Sequence, residues 1–448
     1  MSVRSMTEGR PARLIMAVAL PLMLGSVFQQ MYTVVDAHIV GSVIGVSALA
    51  AVGAADWFNW LFVAILQGLA QGFAIPMAQA FGANDHARLR KSVGNALVLS
   101  LITAAVVTVA ALMLINPVLH LMRTPEAIRP NSVGYLTVLF AGLPIVMGYN
   151  LLAGVLRSLG DGKSPLYAMI VASFVNIGLD LLFVAGLGWG VRGAALATIL
   201  AQGVSILFCL YRLSRISFIR PSRQDLHPDG AECRHLFMLG LPIALQNAII
   251  AIGGMIVQSV ANPLGVTFIA GYTATNKLYG LLEIAAVSYG YAIATYTGQN
   301  LGAQKYDRIR KGVHTAAIMG VLTAVVITLF MLLFGRPIIA SFISGTPEEV
   351  EASLAIGWEF LRLMSLSLPI LYILHIYRSA QQGMGHTFMP MLSGFAEFIM
   401  RTGSALLLPA LIGYSGIFWA EVLAWLGADF FLIPGYYWAL KKHREERT

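Results

Sequence analysis

Charge is what this sequence has least of. Only 11% of its 448 residues are Asp, Glu, Lys or Arg, where a soluble domain carries about 25%. That scarcity excludes an ordinary water-soluble globule. Cysteine is nearly absent too. Cys209 and Cys233 support no disulfide framework and no thiolate metal motif. There is no GxxxxGK[ST] and no polar block large enough for a nucleotide-binding domain, and GDGK at 160–163 reads as a turn between apolar runs. Chemistry driven by ATP on this chain alone is therefore excluded. His38, His120 and His375 are scattered singly, so no histidine metal motif appears. No clustered nucleophile or acid–base set suggests an enzyme, and no cofactor is expected.

What is present is apolar sequence in long blocks. The chain is 58% hydrophobic, with mean hydropathy +0.75. Nearly charge-free runs of about 18 residues or more read as membrane spans. The runs lack period-two alternation, so they are helices: in lipid an isolated element must satisfy its own backbone. The spans fall at 14–36, 48–80, 93–115, 131–156, 165–187 and 193–213, then at 236–260, 267–300, 312–334, 352–378, 387–411 and 417–440. The first run is long and contains Pro21. It lacks a small-residue cleavage pattern, so it reads as a span and not as a signal peptide. The polar stretch 215–235 separates a first half, 1–214, from a second half, 236–448.

Basic residues orient the spans. With the N-terminus inside, 22 of the 29 lysines and arginines, Arg378 and Arg447 among them, fall in inner segments, and four (Arg123, Arg129, Arg192, Arg336) fall in outer ones. This asymmetry predicts a multi-pass inner-membrane protein with both termini cytoplasmic. It also accounts for the net charge of +8 without a nucleic-acid partner.

The halves repeat. GANDHARLRKSV (82–93) matches GAQKYDRIRKGV (302–313) at six of twelve positions, 220 residues apart. ALP at 19–21 matches GLP at 240–242. GLP at 142–144 matches SLP at 367–369, and Gly160 and Pro165 match Gly385 and Pro390. Six spans per half is an even number, so the copies are parallel repeats, a plan under which transporters bind substrate between their halves.

The stretches PLMLGSVFQQMYTVVDAHIVGSVIGVSALAAVG (21–53), LRSLGDGKSP (156–165) and GQNLGAQKYDRIRKG (298–312) resemble the multidrug and toxic compound extrusion (MATE) family. The similarity covers nearly the whole chain, and its specificity lies in the order and spacing of the motifs. The resemblance implies an all-α integral membrane fold of twelve helices in two six-helix lobes arranged as a V. It implies export of organic cations and other amphiphiles in exchange for H⁺ or Na⁺ by alternating access, with a monomer, small-molecule substrates and the bilayer as its setting. A flippase for lipid-linked oligosaccharide, from the same superfamily, is the alternative. The small number of intramembrane Lys and Arg counts against it.

The resemblance also assigns residues. Asp36, Asn176 and Asp180 look like the amino-lobe ion site of the DinF-like branch, with Tyr135, Asn150 and Thr198 as further polar lining. Met147 and Tyr149 are cavity lining by the same resemblance. The seventh span has no acidic residue, unlike other branches, and this leans coupling toward the first lobe. Asn176 and Asp180 are four apart and share a helix face. An intramembrane Asp costs at least about 2.5–3.5 kcal/mol to insert, so it marks an ion or proton path by default. Two carboxylates in one dry site can share a proton. Together with Asn176 and Thr198 they can instead cage Na⁺. A structural hydrogen-bond network is the plain alternative. Pro21 is expected to kink the first span, either as a moving part or as a fixed bend. Glu397–Arg401 and Glu359–Arg362 are spaced to pair on their own helices. Lys277 repels cationic cargo, or pairs with Glu283 or with another helix. Glu421 and Asp429 attract cations or face the cytoplasmic end.

Overall fold

The computed structural model describes residues 3–122, 124–343 and 346–445. Arg123 and Arg447, counted above with the outer and inner charges, lie outside them. The described residues are 88% helix with no strand. The helices are α1 (Pro11–Ile39), α2 (Val46–Gly82), α3 (His86–Leu121), α4 (Arg129–Ala141), α5 (Leu143–Ser158), α6 (Lys163–Asp180) and α7 (Gly190–Ser214). After the linker come α8 (Gly230–Ala261), α9 (Val266–Gly302), α10 (Tyr306–Ala340), α11 (Pro347–Gly383), α12 (Phe388–Leu407), the short α13 (Pro409–Ile412) and α14 (Ser415–Glu445).

Among the described residues eleven helices are long and apolar enough to cross a bilayer, and α4 with α5, bent by 45°, brings the number to twelve when the pair is taken as one span. Each predicted span therefore finds its helix or bent pair. The bend falls at Gly142, followed by Pro144. Proline cannot donate to the carbonyl four residues back, and that missing bond weakens the helix there. Pro21 by contrast lies inside α1, which runs on without a break.

The repeat is visible in the backbone. Left-handed φ values occur at Gly45 and Gly265 (112° and 93°), at Asn84 and Gln304 (59° and 56°), at Gly160 and Gly385 (74° and 87°), and at Gly188 and Gly413 (66° and 68°). The first two pairs are 220 residues apart and the last two 225, the same offsets as the sequence motifs. Asn84 and Gln304 are side chains in a conformation that costs a non-glycine residue energy. Both halves keep it at the same turn.

The chain divides into two compact units, one of Met1–Met6 with Leu20–Ala248 and the other of Thr7–Ala19 with Ile249–Thr448. In the first, Phe58, Phe62 and Phe140 meet edge to face at 5.2–5.3 Å. There α2 and α8 cross so closely that a Cβ on Gly72 would fall 2.2 Å from the Gly240 Cα, the small-residue contact by which membrane helices approach. In the second, Phe268, Tyr272, Phe360 and Phe418 stack. Lys305 and Arg308 hold the carbonyls of Thr7 (3.1 Å) and Gly9 (3.0 Å).

The linker docks on α3 within the first unit. Lys91 Nζ lies 2.5 Å from Asp229, Ser92 donates to Glu232 at 2.6 Å, and Asn95 accepts from the Asp229 N–H at 2.8 Å. The Lys91 ammonium, followed by the backbone N–H groups of Glu232 and Ala231, holds the Asp229 carboxyl below its ordinary value. On the outer faces Leu101, Met113, Val326 and Leu333 are exposed. Apolar surface of this extent is tolerated against lipid.

Candidate functional site

Asp36 lies in the last turns of α1, and Asp180 is the final residue of α6. Just past each of them the helix changes its winding, a feature that sequence periodicity did not reveal. The chain widens into a π turn at Val40–Ile44, closed by the Gly45 N–H on the Val40 carbonyl at 3.3 Å, and again at Leu181–Gly186, closed by the Leu187 N–H on the Leu182 carbonyl at 2.8 Å. These i→i+5 closures are rare and gather at functional positions. The two π turns pack against each other and against α7, bringing the ends of α1 and α6 together.

The Asp36 and Asp180 carboxyls consequently face each other closely enough to share a proton. Asn176 and Asp180 have no exposed surface. Apart from this mutual contact, Asp36 Oδ1 and both Asp180 oxygens have no hydrogen-bond partner among the described residues, and neither does the Asn176 amide, nitrogen or oxygen. Buried polar groups are normally paired, and an unpaired one costs about 1–3 kcal/mol. Three adjacent side chains with unfilled hydrogen-bonding capacity form a receptor for a small polar guest: a proton, water or a cation. All the available acceptors are hard oxygens.

The surroundings include groups that spacing alone did not bring forward. Tyr135, 8% exposed, lies within electrostatic reach of Asp36, Asp180, Asp56 and Tyr32. Tyr32, one turn before Asp36, feels both carboxyls and bonds to the Gln29 side chain. Its i,i+4 spacing from Asp36 was the available signal. On α7, which packs along α6, Thr198 donates to the Ala194 carbonyl at 3.2 Å. One turn on, Gln202 buries an Oε1 that has no hydrogen-bond partner among the described residues. Asn150 donates to the Val146 carbonyl at 2.9 Å, Met147 is buried in the apolar core, and Tyr149 packs against that core. A cavity of about 610 Å³ opens in the other unit, lined by residues of 304–308 and Arg444; none of the expected lining residues borders it. Among the described residues no group of three or more His, Cys, Asp or Glu is arranged to hold a metal.

The intramembrane charges of the second unit pair differently from expectation. Arg378, counted among the inner charges, is buried in α11 and donates to Glu397 at 2.7 Å. Arg401 meets Glu397 at 3.1 Å, as the i,i+4 spacing predicted, and also Glu421 at 2.8 Å. Glu359 does not turn to Arg362. It accepts from Tyr414 at 3.1 Å and from the Ser415 hydroxyl. Glu283 lies 3.4 Å from His375 instead of pairing with Lys277, which is exposed. Spacing along one helix cannot foresee partners that a neighbouring helix supplies.

A profile of the MatE family matches residues 21–182 and again residues 242–407, one copy in each half of the chain. The protein belongs to the MATE family. It is a multi-span membrane transporter and not an enzyme. It is 27% identical over 418 residues to the probable multidrug resistance protein YpnP of Bacillus subtilis, covering 93% of each chain. It is 24% identical over 347 residues to the DNA damage-inducible protein F of Escherichia coli, covering 76% of this chain and 75% of that one. Its fold is similar to that of a solved structure described as a multidrug resistance MATE family transporter in its outward-facing conformation, with TM-score 0.90 and 24% identity over 99% of this chain and 98% of that one. In this MATE protein the doubled profile and the doubled left-handed turns describe the same repeat.

Proposed function

We propose that this MATE protein is a secondary active antiporter that exports organic cations and other amphiphilic compounds in exchange for H⁺ or Na⁺ by alternating access. Asp36 and Asp180 are its coupling carboxylates, Asn176 is their partner, and Thr198 and Tyr135 complete the polar lining. Met147, Tyr149 and Asn150 contribute to the path of the cargo, and Pro21 gives α1 a weak point between its start and Asp36. The protein works as a monomer in the inner membrane with both termini cytoplasmic and needs no cofactor. Residues 1–214 and 236–448 are its lobes.

One observation carries the reading: a pair of facing carboxyls beside an amide with every polar atom unfilled, all within membrane-spanning helices. A charge held there is costly, so the pair favours a state neutralised by a proton or a cation. Loading and unloading that guest changes the charge at the joint of α1 and α6, where the helices end in the two π turns. The relatives named for multidrug resistance support the cargo class.

The test uses the purified protein in sealed liposomes loaded with ethidium. A proton gradient and then a Na⁺ gradient are imposed on wild type, Asp36→Asn and Asp180→Asn. Movement driven by one gradient and lost in both variants identifies the ion and its path. Normal transport in both variants removes these residues from coupling.

A further inference from the structure

The second unit holds a chain of alternating charges, three of them buried and the fourth, Glu421, half-buried. Arg378 of α11 binds Glu397 of α12, Glu397 binds Arg401, and Arg401 binds Glu421 of α14, at 2.7, 3.1 and 2.8 Å. This tetrad is neutral. His375 and Glu283, 3.4 Å apart, make a further pair within electrostatic reach of it. Asp429 is left over. It lies on α14, 8% exposed, two turns beyond Glu421. Its Oδ1 has no hydrogen-bond partner among the described residues, and it feels Arg378 and Glu397, both already committed to each other.

The charges do not balance. With His375 protonated, three cationic groups (Arg378, Arg401, His375) meet four carboxyls (Glu283, Glu397, Glu421, Asp429); with His375 neutral, two meet four. An unpaired carboxylate in a dry interior costs several kcal/mol and is normally relieved by protonation. The other titratable groups facing this region are Tyr377 of α11, which feels Asp429 and bonds to Tyr437 of α14, Tyr272 and Tyr279 of α9, which feel Glu421 and Arg401, and Tyr436 of α14, whose buried hydroxyl has no hydrogen-bond partner among the described residues. Asp307 and Arg310 lie on α10, Arg310 within reach of Tyr436 and Asp307 bonded to Arg444. None of these tyrosines supplies positive charge, and the α10 groups lie toward the far end of α14.

We propose that Asp429 is a second proton-binding site of this protein, separate from the Asp36–Asp180 pair: a carboxyl that takes up one proton from solution and releases it again, with the Arg378–Glu397–Arg401–Glu421 chain as its fixed electrostatic frame. The step is a simple exchange in which a carboxylate and a proton become a carboxylic acid, and no other bond changes. This goes beyond the coupling role proposed above and does not depend on it.

The test is infrared difference spectroscopy of the full-length protein in lipid nanodiscs, stepped in pH across the range where it stays folded. The carbonyl-stretch band of a protonated carboxylic acid is the readout. The background is the Asp36→Asn/Asp180→Asn double variant, which removes the first pair. The expected result is a band that persists in the double variant, grows and fades with pH, moves in frequency in Asp429→Glu and is lost in Asp429→Asn. No titrating band in the double variant overturns the proposal. So does a band that survives Asp429→Asn, or one that stays constant at every pH and so reports a permanently neutral acid. Thermal unfolding of each variant verifies that a lost band comes from the side chain and not from the fold. Loss of transport in Asp36→Asn with this band intact separates the two sites.

Discussion

Arg378 and Glu397 meet at 2.7 Å between α11 and α12, with only 9% and 5% of their side chains exposed. In a buried ion pair the two partners are worth far less together than either costs alone. Glu397→Gln leaves Arg378 and Arg401 without their shared carboxylate, and a destabilisation of about 3–5 kcal/mol is expected. The matched double replacement Arg378→Met/Glu397→Met is milder than Glu397→Gln. Thermal unfolding of purified protein in detergent reads both. Equal losses would mean that the pair does not act as a unit.

Asn176 offers the sharpest distinction between structure and coupling. Its amide has no hydrogen-bond partner among the described residues, so the fold gains nothing from its polarity. Asn176→Leu removes a buried unsatisfied group worth about 1–3 kcal/mol and leaves the unfolding temperature unchanged or raised. Gradient-driven transport falls tenfold or more, to order of magnitude, if the amide helps to hold the ion. A helix-bridging network gives the opposite pattern, with stability lost and transport retained.

Gln304 sits at φ 56° and Asn84 at φ 59° in equivalent turns. Asn tolerates the left-handed region through its short polar side chain, whereas Gln adopts it at a higher cost. Gln304→Gly raises stability by about 1 kcal/mol, and Asn84→Gly by less. Unfolding temperatures of the two variants measured side by side give the comparison.

The linker's attachment to α3 depends on acid. Lys91 holds the Asp229 carboxyl below its ordinary value, and hydrogen bonds from the Ser222 backbone and hydroxyl do the same for Asp225. Groups with depressed folded values contribute above the unfolded value of about 3.9 and lose that contribution as pH falls through the lower folded one. Docking therefore holds steady from neutral pH down to about that value and loosens only in stronger acid. Because both groups are only half-buried and reach water, the effect is small and salt-sensitive. Cleavage of the 215–229 stretch by an acid-active protease, faster at lower pH, reads it. Lys91→Met should cleave faster than wild type at neutral pH as well.

Much of this molecule could be read from its residues. The twelve spans emerged from run length and missing charge, because lipid gives a helix few alternatives. Fixed offsets of 220 and 225 exposed the repeat before the left-handed residues at Asn84 and Gln304 were seen. Asp36, Asn176 and Asp180 stood out because carboxylates and amides are rare in apolar runs. The rest needed three dimensions. Arg378 looked like an inner-edge charge because its counterion Glu397 is on another helix. Glu359 looked paired to Arg362 because Ser415 and Tyr414, which it meets instead, are distant in sequence. The π turns after Asp36 and Asp180 leave no periodic trace, since VGSVI and LLFVAG are as apolar as any helical turn.

Those π turns also set the direction in which the chain leaves each helix. A π closure houses one residue more than an α closure, so each adds one residue to the last winding before the helical path ends at Gly45 or Leu187. Everything beyond it is rotated by about 100° relative to an uninterrupted helix. Deleting one residue from Leu181–Gly186 would restore ordinary winding and turn the remainder of that segment by the same angle, leaving Asp180 where it is and re-aiming the side chains beyond it. The two acidic positions thus stand at the joints of two swivels, and the direction of the chain past each depends on keeping one surplus residue.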